Sequence, residues 1–405
     1  MSQLSSVSSQ WMADIKVKMI IPNKKVYLDY ASTTPTDPRV LEAMKPYFFE
    51  EFGNPSSPHT FGQKARKAVE DAREILARTI GAKPEEIVFT SGGTESNNQA
   101  LFGIARALHD KGNHMIVSKV DHHSVLRPVE ELQAQGMKVT FLNVDKHGCV
   151  DPEAVRRAIT PQTILIALMH ASNEIGTIQP VAAVGRSLRS LARERGICFH
   201  VDAVQTIGHI PVNVQEIQCD LLSMSAHKFY GPKGAGALYI RKGTKISPYL
   251  LGGDQERGRR ASTQNVPGIV GMGRALALCD ECMNEEAKAQ NVLRDQIIQY
   301  ITKNISGSIF NGHPAERLPN NAHFSFEGVN GESLLMSLDM NGFCASMGSA
   351  CTSGALTPSH VLKAVGLSDE LAFGSLRVSI GRWTTAEDVE AFCAQLKKSV
   401  EQLRR

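Results

Sequence analysis

The chain has 405 residues, 42% hydrophobic and 21% charged, with 44 basic against 41 acidic side chains. That composition predicts a packed protein of about two or three domain-sized units and excludes a disordered chain. A net charge of +3 points to neither nucleic acid nor a membrane surface, and no apolar run approaches the roughly 18 residues that span a bilayer.

The eight cysteines are scattered between positions 149 and 393. They form no disulfide framework, so reduced thiols in a cytoplasmic setting are expected. Cys279 and Cys282 lie one turn apart in a helical run with no second pair, which reads as structure rather than zinc binding, and no metal site is expected.

Residues 1–24 are serine-rich and aperiodic. They read as a flexible leader without the apolar core of a secretory signal, while organellar targeting stays open. Residues 25–60 are rich in loop signals and are expected to cross between domains. From about residue 64 to 241, strand-like and helical patterns alternate. Strands are predicted over 86–90, 114–118, 138–142, 163–169, 197–201, 221–225 and 235–240, and helices over 94–108, 124–135, 151–159 and 181–195. This alternation implies an α/β fold: a mostly parallel sheet sandwiched by helices. Right-handed crossovers then bring the loops after the strand C-termini to one edge, where ligands bind.

A long helix is predicted over 266–304, followed by strands over 322–326 and 376–380, a helix start near 331 and a helix beginning near Thr385. This reads as a smaller α+β C-terminal domain. The expected division is a leader (1–24), a large domain (25–265) and a small domain (266–405).

Lys228 stands on a short turn between two apolar strands, in Ser225-Ala226-His227-Lys228-Phe229-Tyr230-Gly231. A lysine so held suits Schiff-base chemistry, which needs a neutral amine part of the time. Thr90-Ser91-Gly92-Gly93-Thr94-Glu95 follows a strand and opens a helix, a setting that favours a phosphate. It matches neither a P-loop nor Gly-x-Gly-x-x-Gly. Asp202 ends a buried strand and needs a cationic partner, such as a pyridinium nitrogen. Together these three features point to pyridoxal phosphate. His122 follows another strand, where a ring can stack on a flat cofactor or shuttle a proton. Asn173 and Gln205 stand at further strand ends as hydrogen-bond donors. Cys351 lies in a run of small residues, Ala345 to Gly354, which buries little apolar area and is expected to be mobile and exposed.

These motifs resemble the class I cysteine desulfurases, the NifS/IscS-like branch of fold-type I pyridoxal phosphate enzymes. The resemblance runs from about Val26 to the C-terminus. It rests on Leu28-Asp29-Tyr30-Ala31-Ser32-Thr33-Thr34-Pro35, Gly53-Asn54-Pro55-Ser56-Ser57 and Phe89-Thr90-Ser91-Gly92-Gly93-Thr94-Glu95-Ser96-Asn97. Asn173-Glu174-Ile175-Gly176, His200-Val201-Asp202-Ala203-Val204-Gln205, the Lys228 stretch and Gly348-Ser349-Ala350-Cys351-Thr352-Ser353 complete it.

The resemblance implies that Lys228 forms the Schiff base with the cofactor, Asp202 pairs with the pyridinium nitrogen and Gln205 bonds the phenolic oxygen. His122 would stack on the ring and count among the catalytic residues. Gly93, Thr94, Ser225 and His227 would hold the phosphate, with Thr263 reaching the phosphate of a neighbouring subunit, hence a homodimer with shared sites. Asn173 and Arg377 would hold the carboxylate of L-cysteine. Cys351 would take the sulfur as a persulfide, releasing L-alanine, and pass it to an acceptor such as an iron–sulfur scaffold; at most it would contact a transferred iron–sulfur cluster. The chain stops soon after its last helix, without the tail of IscS-type members, which leans toward NifS-like members; the long Cys351 segment argues against the SufS-like branch. Another pyridoxal phosphate reaction, such as selenocysteine lysis or transamination, and a non-catalytic scaffold are the alternatives. The acceptor stays open.

Overall fold

The computed structural model describes residues 25–348 and 357–405; the leader and Cys351 lie outside the described residues. The first strands in chain order are β1 (Val26–Tyr27), β2 (Ile87–Thr90), β3 (His114–Ser118), β4 (Lys138–Leu142), β5 (Thr163–Met169) and β6 (Cys198–Asp202). After them come β7 (Leu221–Ser225), β8 (Gly236–Ile240), β9 (Ser308–Asn311), β10 (Asn321–Phe326), β11 (Phe343–Cys344) and β12 (Ser375–Ser379).

Seven strands form one sheet in the order β2-β8-β7-β6-β5-β3-β4. The pairs among β3 to β7 are parallel, and β8 lies antiparallel between β7 and β2. β2 therefore points the same way as β3, β5, β6 and β7. Their side chains alternate between two apolar layers. Ile116, Ile166, Phe199 and Leu222 enter one, Met115, Leu165, Ala167 and Leu221 the other. Burying one large side chain stabilises by about 1.5–3 kcal/mol. A polar substitution at any of the buried apolar positions 164–169 of β5 is therefore expected to damage the fold. Helices Gly93–Ala107, His123–Ala134, Pro152–Ala158 and Val181–Arg195 connect the strands, as the alternation predicts.

Residues 25–60 hold more structure than their loop signals predict. Asp37 accepts from the Arg39 N–H and caps helix Pro38–Met44, which opens on a proline; Pro46–Phe49 follows. His59 caps helix Thr60–Thr79, so the helical pattern begins at Thr60 rather than near 64. These helices start on capping and proline signals, which a reading of hydrophobic period misses.

Helix Val266–Asn304 has the predicted bounds and, at 39 residues, is a rod about 58 Å long. Ile269, Met272 and Leu276 from its first half join a sheet layer. Ile297 and Ile301 from its second half join another core with Phe324 of β10, Leu376 of β12 and Phe392 of helix Ala386–Leu403. That core covers an antiparallel sheet of order β12-β10-β9, beside the parallel pair β1 and β11. The short β9 and β11 carry no pattern long enough to predict. No helix among the described residues is long and apolar enough to cross a membrane.

Candidate active site

Because β2, β3, β5, β6 and β7 end at one edge, the segments after them converge. They enclose a cavity of about 230 Å³ lined by Gly93, Thr94, His122, Asn173, Asp202, Gln205, Ser225, His227 and Lys228, together with Ser124, Met169, Ala171 and Val204. A larger groove of about 540 Å³, lined by Lys111, Arg189, Asp220 and Lys245 among others, gathers residues at the strands' opposite edge and none of these groups.

The tight turn Ala226–Lys228 carries Lys228 directly off β7. Its Nζ donates to the carbonyls of Ala31 and Ser32, each at 2.7 Å. Both acceptors are neutral. Burial, seconded by the Arg377 guanidinium, pushes the lysine pKa from 10.5 down to about 8 against the pull of Asp29 and Asp202. Roughly a tenth of this amine is therefore neutral at pH 7, far more than for an ordinary lysine.

Asp202 closes β6. Asn97 Nδ2 donates to its Oδ2 at 2.7 Å and the Val204 N–H to its Oδ1 at 3.0 Å. Asn97 sits one turn into helix Gly93–Ala107, so the helix that begins at the cavity also orients the carboxylate.

That helix starts at Gly92 without a side-chain cap, which leaves its first N–H groups for a ligand. Thr94, Ser225 and His227 stand around this end. A Cβ on Gly93 would lie 2.6 Å from Val204 Cγ2, so any larger residue must displace Val204. His227 Nδ1 lies 3.1 Å from the Thr33 hydroxyl. Burial, with Lys228 and Lys233 nearby, pushes its pKa down to about 4, so the ring is neutral. In the tautomer where Nδ1 accepts from Thr33, Nε2 is a donor.

His122 caps helix His123–Ala134 and its Nδ1 accepts from the Ser124 N–H at 3.1 Å, which places the ring proton on Nε2. The side chain is reachable from the cavity. The protein around it lowers its pKa by stripping solvent, opposed by Asp202.

Gln205 lines the cavity while its Nε2 donates to Ala31 O at 3.0 Å, so one amide hydrogen remains for a ligand. Arg377 is buried beside Asn173 and behind the cavity wall. Its Nη1 donates to the Asn173 carbonyl at 2.7 Å, and its Nη2 to Asp29 Oδ1 at 2.7 Å and Ser32 Oγ at 2.6 Å. Its Nε has no partner among the described residues. To hold a substrate carboxylate it must share or exchange the Asp29 and Ser32 contacts. Thr263 is not in the Lys228 cavity; it lines a separate one of about 270 Å³ with Tyr47, Phe52 and Asn54.

Three contributors escaped the sequence reading. Asn97 orients Asp202, Ser124 lines the cavity and bonds His122, and the Ala31-Ser32 carbonyls hold Lys228. Asn97 was within reach, since it lies four residues after Gly93 on one helix face.

The residues present fit pyridoxal phosphate. A lysine poised to lose its charge, an oriented carboxylate and an uncapped helix end ringed by hydroxyls line one cavity. These match the aldehyde, the ring nitrogen and the phosphate in kind.

Comparison with known proteins agrees. Residues 26–392 match the family described as aminotransferase class-V. The cysteine desulfurase IscS of Dictyoglomus turgidum is 54% identical over 381 residues, covering 94% of this chain and 96% of that protein. The cysteine desulfurase IscS of Methanosarcina thermophila is 51% identical, covering 94% and 93%. Among solved structures, a NifS-like protein superposes with a TM-score of 0.87 at 38% identity, covering 93% of this chain and all of that one. SspA in complex with cysteine superposes with a TM-score of 0.78 at 36% identity, covering 89% and 99%. The chain belongs to the aminotransferase class-V family, in its IscS/NifS-like cysteine desulfurase branch.

Proposed function

We propose that the protein is a cysteine desulfurase that takes sulfur from L-cysteine, releases L-alanine and carries the sulfur as a persulfide on Cys351. The observation that carries this reading is one cavity holding Lys228, Asp202 and the Thr94–Ser225–His227 cradle. Identity of 54% to a cysteine desulfurase supports the choice of reaction.

Lys228 and Asp202 would hold the cofactor's reactive end and ring nitrogen, and Gly93, Thr94, Ser225 and His227 its phosphate. When bound, pyridoxal phosphate supplies an electron sink for charge developing on the amino acid. Lys228 Nζ, as a free base, takes the proton from the substrate Cα; its lowered pKa suits that task. Asp202, held in place by Asn97, would stabilise positive charge on the ring nitrogen. His122, which lines the cavity with Nε2 as its donor, would stack on the ring and hand a proton across the cavity. Asn173 and Arg377 orient the carboxylate through paired donors. The Cys351 thiolate attacks the substrate sulfur: an S–S bond forms as the C–S bond breaks. The electron pair leaves with the carbon skeleton, which is protonated to alanine.

Two finer readings belong to this proposal. The first is a homodimer with shared sites. Phe48, Phe49, Phe52 and Phe61 are exposed, at 60, 67, 65 and 49%, and Phe52 lines the Thr263 cavity. A solvated surface seldom carries such a cluster, and a second copy covering it would bring Thr263 toward the partner's phosphate cradle. The second is that the acceptor is a thiol-bearing protein, such as an iron–sulfur scaffold, in the cytoplasm. In this reading the sheet unit holds the cofactor and the C-terminal unit delivers Cys351.

The test is mass spectrometry of the Cys351 peptide after L-cysteine is added to the holoenzyme. Gain of one sulfur, absent in Cys351→Ala, is expected; no gain with continued keto-acid production means a different reaction. Light scattering of the eluted protein checks the dimer, which Phe49→Asp should dissociate.

A further inference from the structure

The segment that carries Cys351 leaves the described structure after Gly348 and re-enters at Thr357. Both limbs meet at one buried side chain, Glu174. On the outgoing limb, Ser346 bridges to Arg377, and Arg377 Nη1 reaches the Gly348 carbonyl at 3.4 Å. Gly348 has φ +93°, and a Cβ there would stand 3.3 Å from Glu174 Cβ, so the chain lies directly against Glu174. On the returning limb, Ser359 Oγ donates to Glu174 Oε2 at 2.5 Å while also accepting from the Leu362 N–H as cap of helix His360–Ala364. Glu174 is only 3% exposed, and its backbone carbonyl accepts from Asn321 at 3.2 Å.

The returning limb has a second hold. His360 Nε2 lies 3.0 Å from the Asp121 carbonyl, and its ring lies 4.6 Å from that of His123. Asp121 is itself fixed: its carboxylate accepts from the Ser118 and Met169 N–H groups at 2.7 and 2.6 Å. Val361 and Leu362 then pack with Val120, Met169 and Ile175 in a small apolar cluster of their own. The loop that presents His122 is thus tied to the segment that delivers Cys351. Adjacent residues serve the two sides of one reaction: Asn173 lines the cavity and Glu174 holds the limbs.

We propose that Glu174, with Ser359 and His360, is a positioning device for sulfur transfer: it sets where the Cys351 segment joins the cavity wall, and touches neither substrate nor cofactor. This rests on Cys351 being the sulfur-accepting thiol. The physical reason is reach. A nucleophile must meet the substrate sulfur within a few tenths of an ångström, and a displaced anchor of about 1 Å costs on the order of 100-fold.

The test uses holoenzyme with three substitutions: Ser359→Ala, Ser359→Thr and Glu174→Gln. Two rates are read on each. One is persulfide formation at Cys351 in a single turnover. The other is exchange of the Cα hydrogen of L-alanine in heavy water, which needs Lys228 but no thiol. We expect Ser359→Ala and Glu174→Gln to slow persulfide formation by about 10- to 100-fold. Ser359→Thr, which keeps the hydroxyl, should recover most of it. Alanine exchange and the KM for cysteine should move less than about threefold in Ser359→Ala. Equal loss of both rates in Ser359→Ala, or no loss of either, overturns the assignment. So does failure of threonine to rescue. Wild-type enzyme and Cys351→Ala, run alongside, report on the underlying reaction: if wild type forms no persulfide, the proposed function fails before Glu174 is tested.

Discussion

Two buried cations, Lys228 on its turn and Arg382 against Tyr230 just past it, are treated in opposite ways by the protein. Arg382 stacks 4.2 Å from the ring centre of Tyr230, two residues past Lys228. Burial works against its charge, but Glu286 raises its pKa well above the ordinary value. Its Nη1 lies 2.7 Å from Asp37, and its Nε bonds Glu286. Lys228 also loses solvent, yet its Nζ meets only backbone carbonyls, and Arg377 adds a like charge. The one is built to stay charged and hold elements together; the other can shed its proton and react. What separates them is the supply of carboxylates at bonding distance, since both are buried and only one has counter-ions within reach.

The contrast breaks most completely at Lys228. Lys228→Ala should lower alanine production from cysteine by about 1000-fold or more, because base and covalent anchor vanish together. Arg382→Met should leave activity per folded molecule nearly unchanged and destabilise by about 3–5 kcal/mol, since Glu286 would be buried without its counter-ion, while Asp37 keeps Arg39. Urea unfolding measures it; a loss below about 1 kcal/mol would contradict the reading of Arg382 as a structural ion-pair centre.

A pH experiment sharpens the lysine side. Capture of pyridoxal phosphate by cofactor-free protein needs the neutral amine, so its rate should rise with pH and level off above about 8, not climb through 10.5. The sign follows from linkage. Below 8 the amine is protonated in both states and the folded protein bears the cost. Between 8 and 10.5 the unfolded chain holds the extra proton, so this group's contribution to stability increases across that window. A smaller effect is expected at the cradle. Gly93→Ala must displace Val204 and should weaken cofactor affinity by about tenfold, read by fluorescence titration. Smallest of all, breaking the exposed Lys45–Glu42 pair should change stability by less than about 0.5 kcal/mol, as for a solvated ion pair on one helix turn.

Much of the molecule was legible beforehand, and the reasons differ by element. β3, β4, β5 and β7 and the long helix Val266–Asn304 fell at their predicted bounds because apolar period is set locally. The helix Pro38–Met44 and the first turn of Thr60–Thr79 were hidden because caps, not apolar spacing, start them. Around the cavity, Lys228, Asp202 and the Gly93-Thr94 turn were readable because each stands just past a strand end, where a mostly parallel sheet presents its ligand edge. Thr263 was named too, but within a single chain it lines another cavity. Ala31 and Ser32 carried no readable sign, since backbone carbonyls look alike in any sequence.

The sequence by itself determined the α/β class, the strand-end positions of the reactive residues and, through its motifs, the family. Those rest on local pattern and residue type. Tertiary structure alone decided that Lys228 faces neutral carbonyls from a segment nearly 200 positions away, that Arg382 keeps both carboxylates, and that the limbs flanking Cys351 close on Glu174. Each depends on which distant groups share a dry volume, and charge in such a volume is set by neighbours the chain order does not reveal.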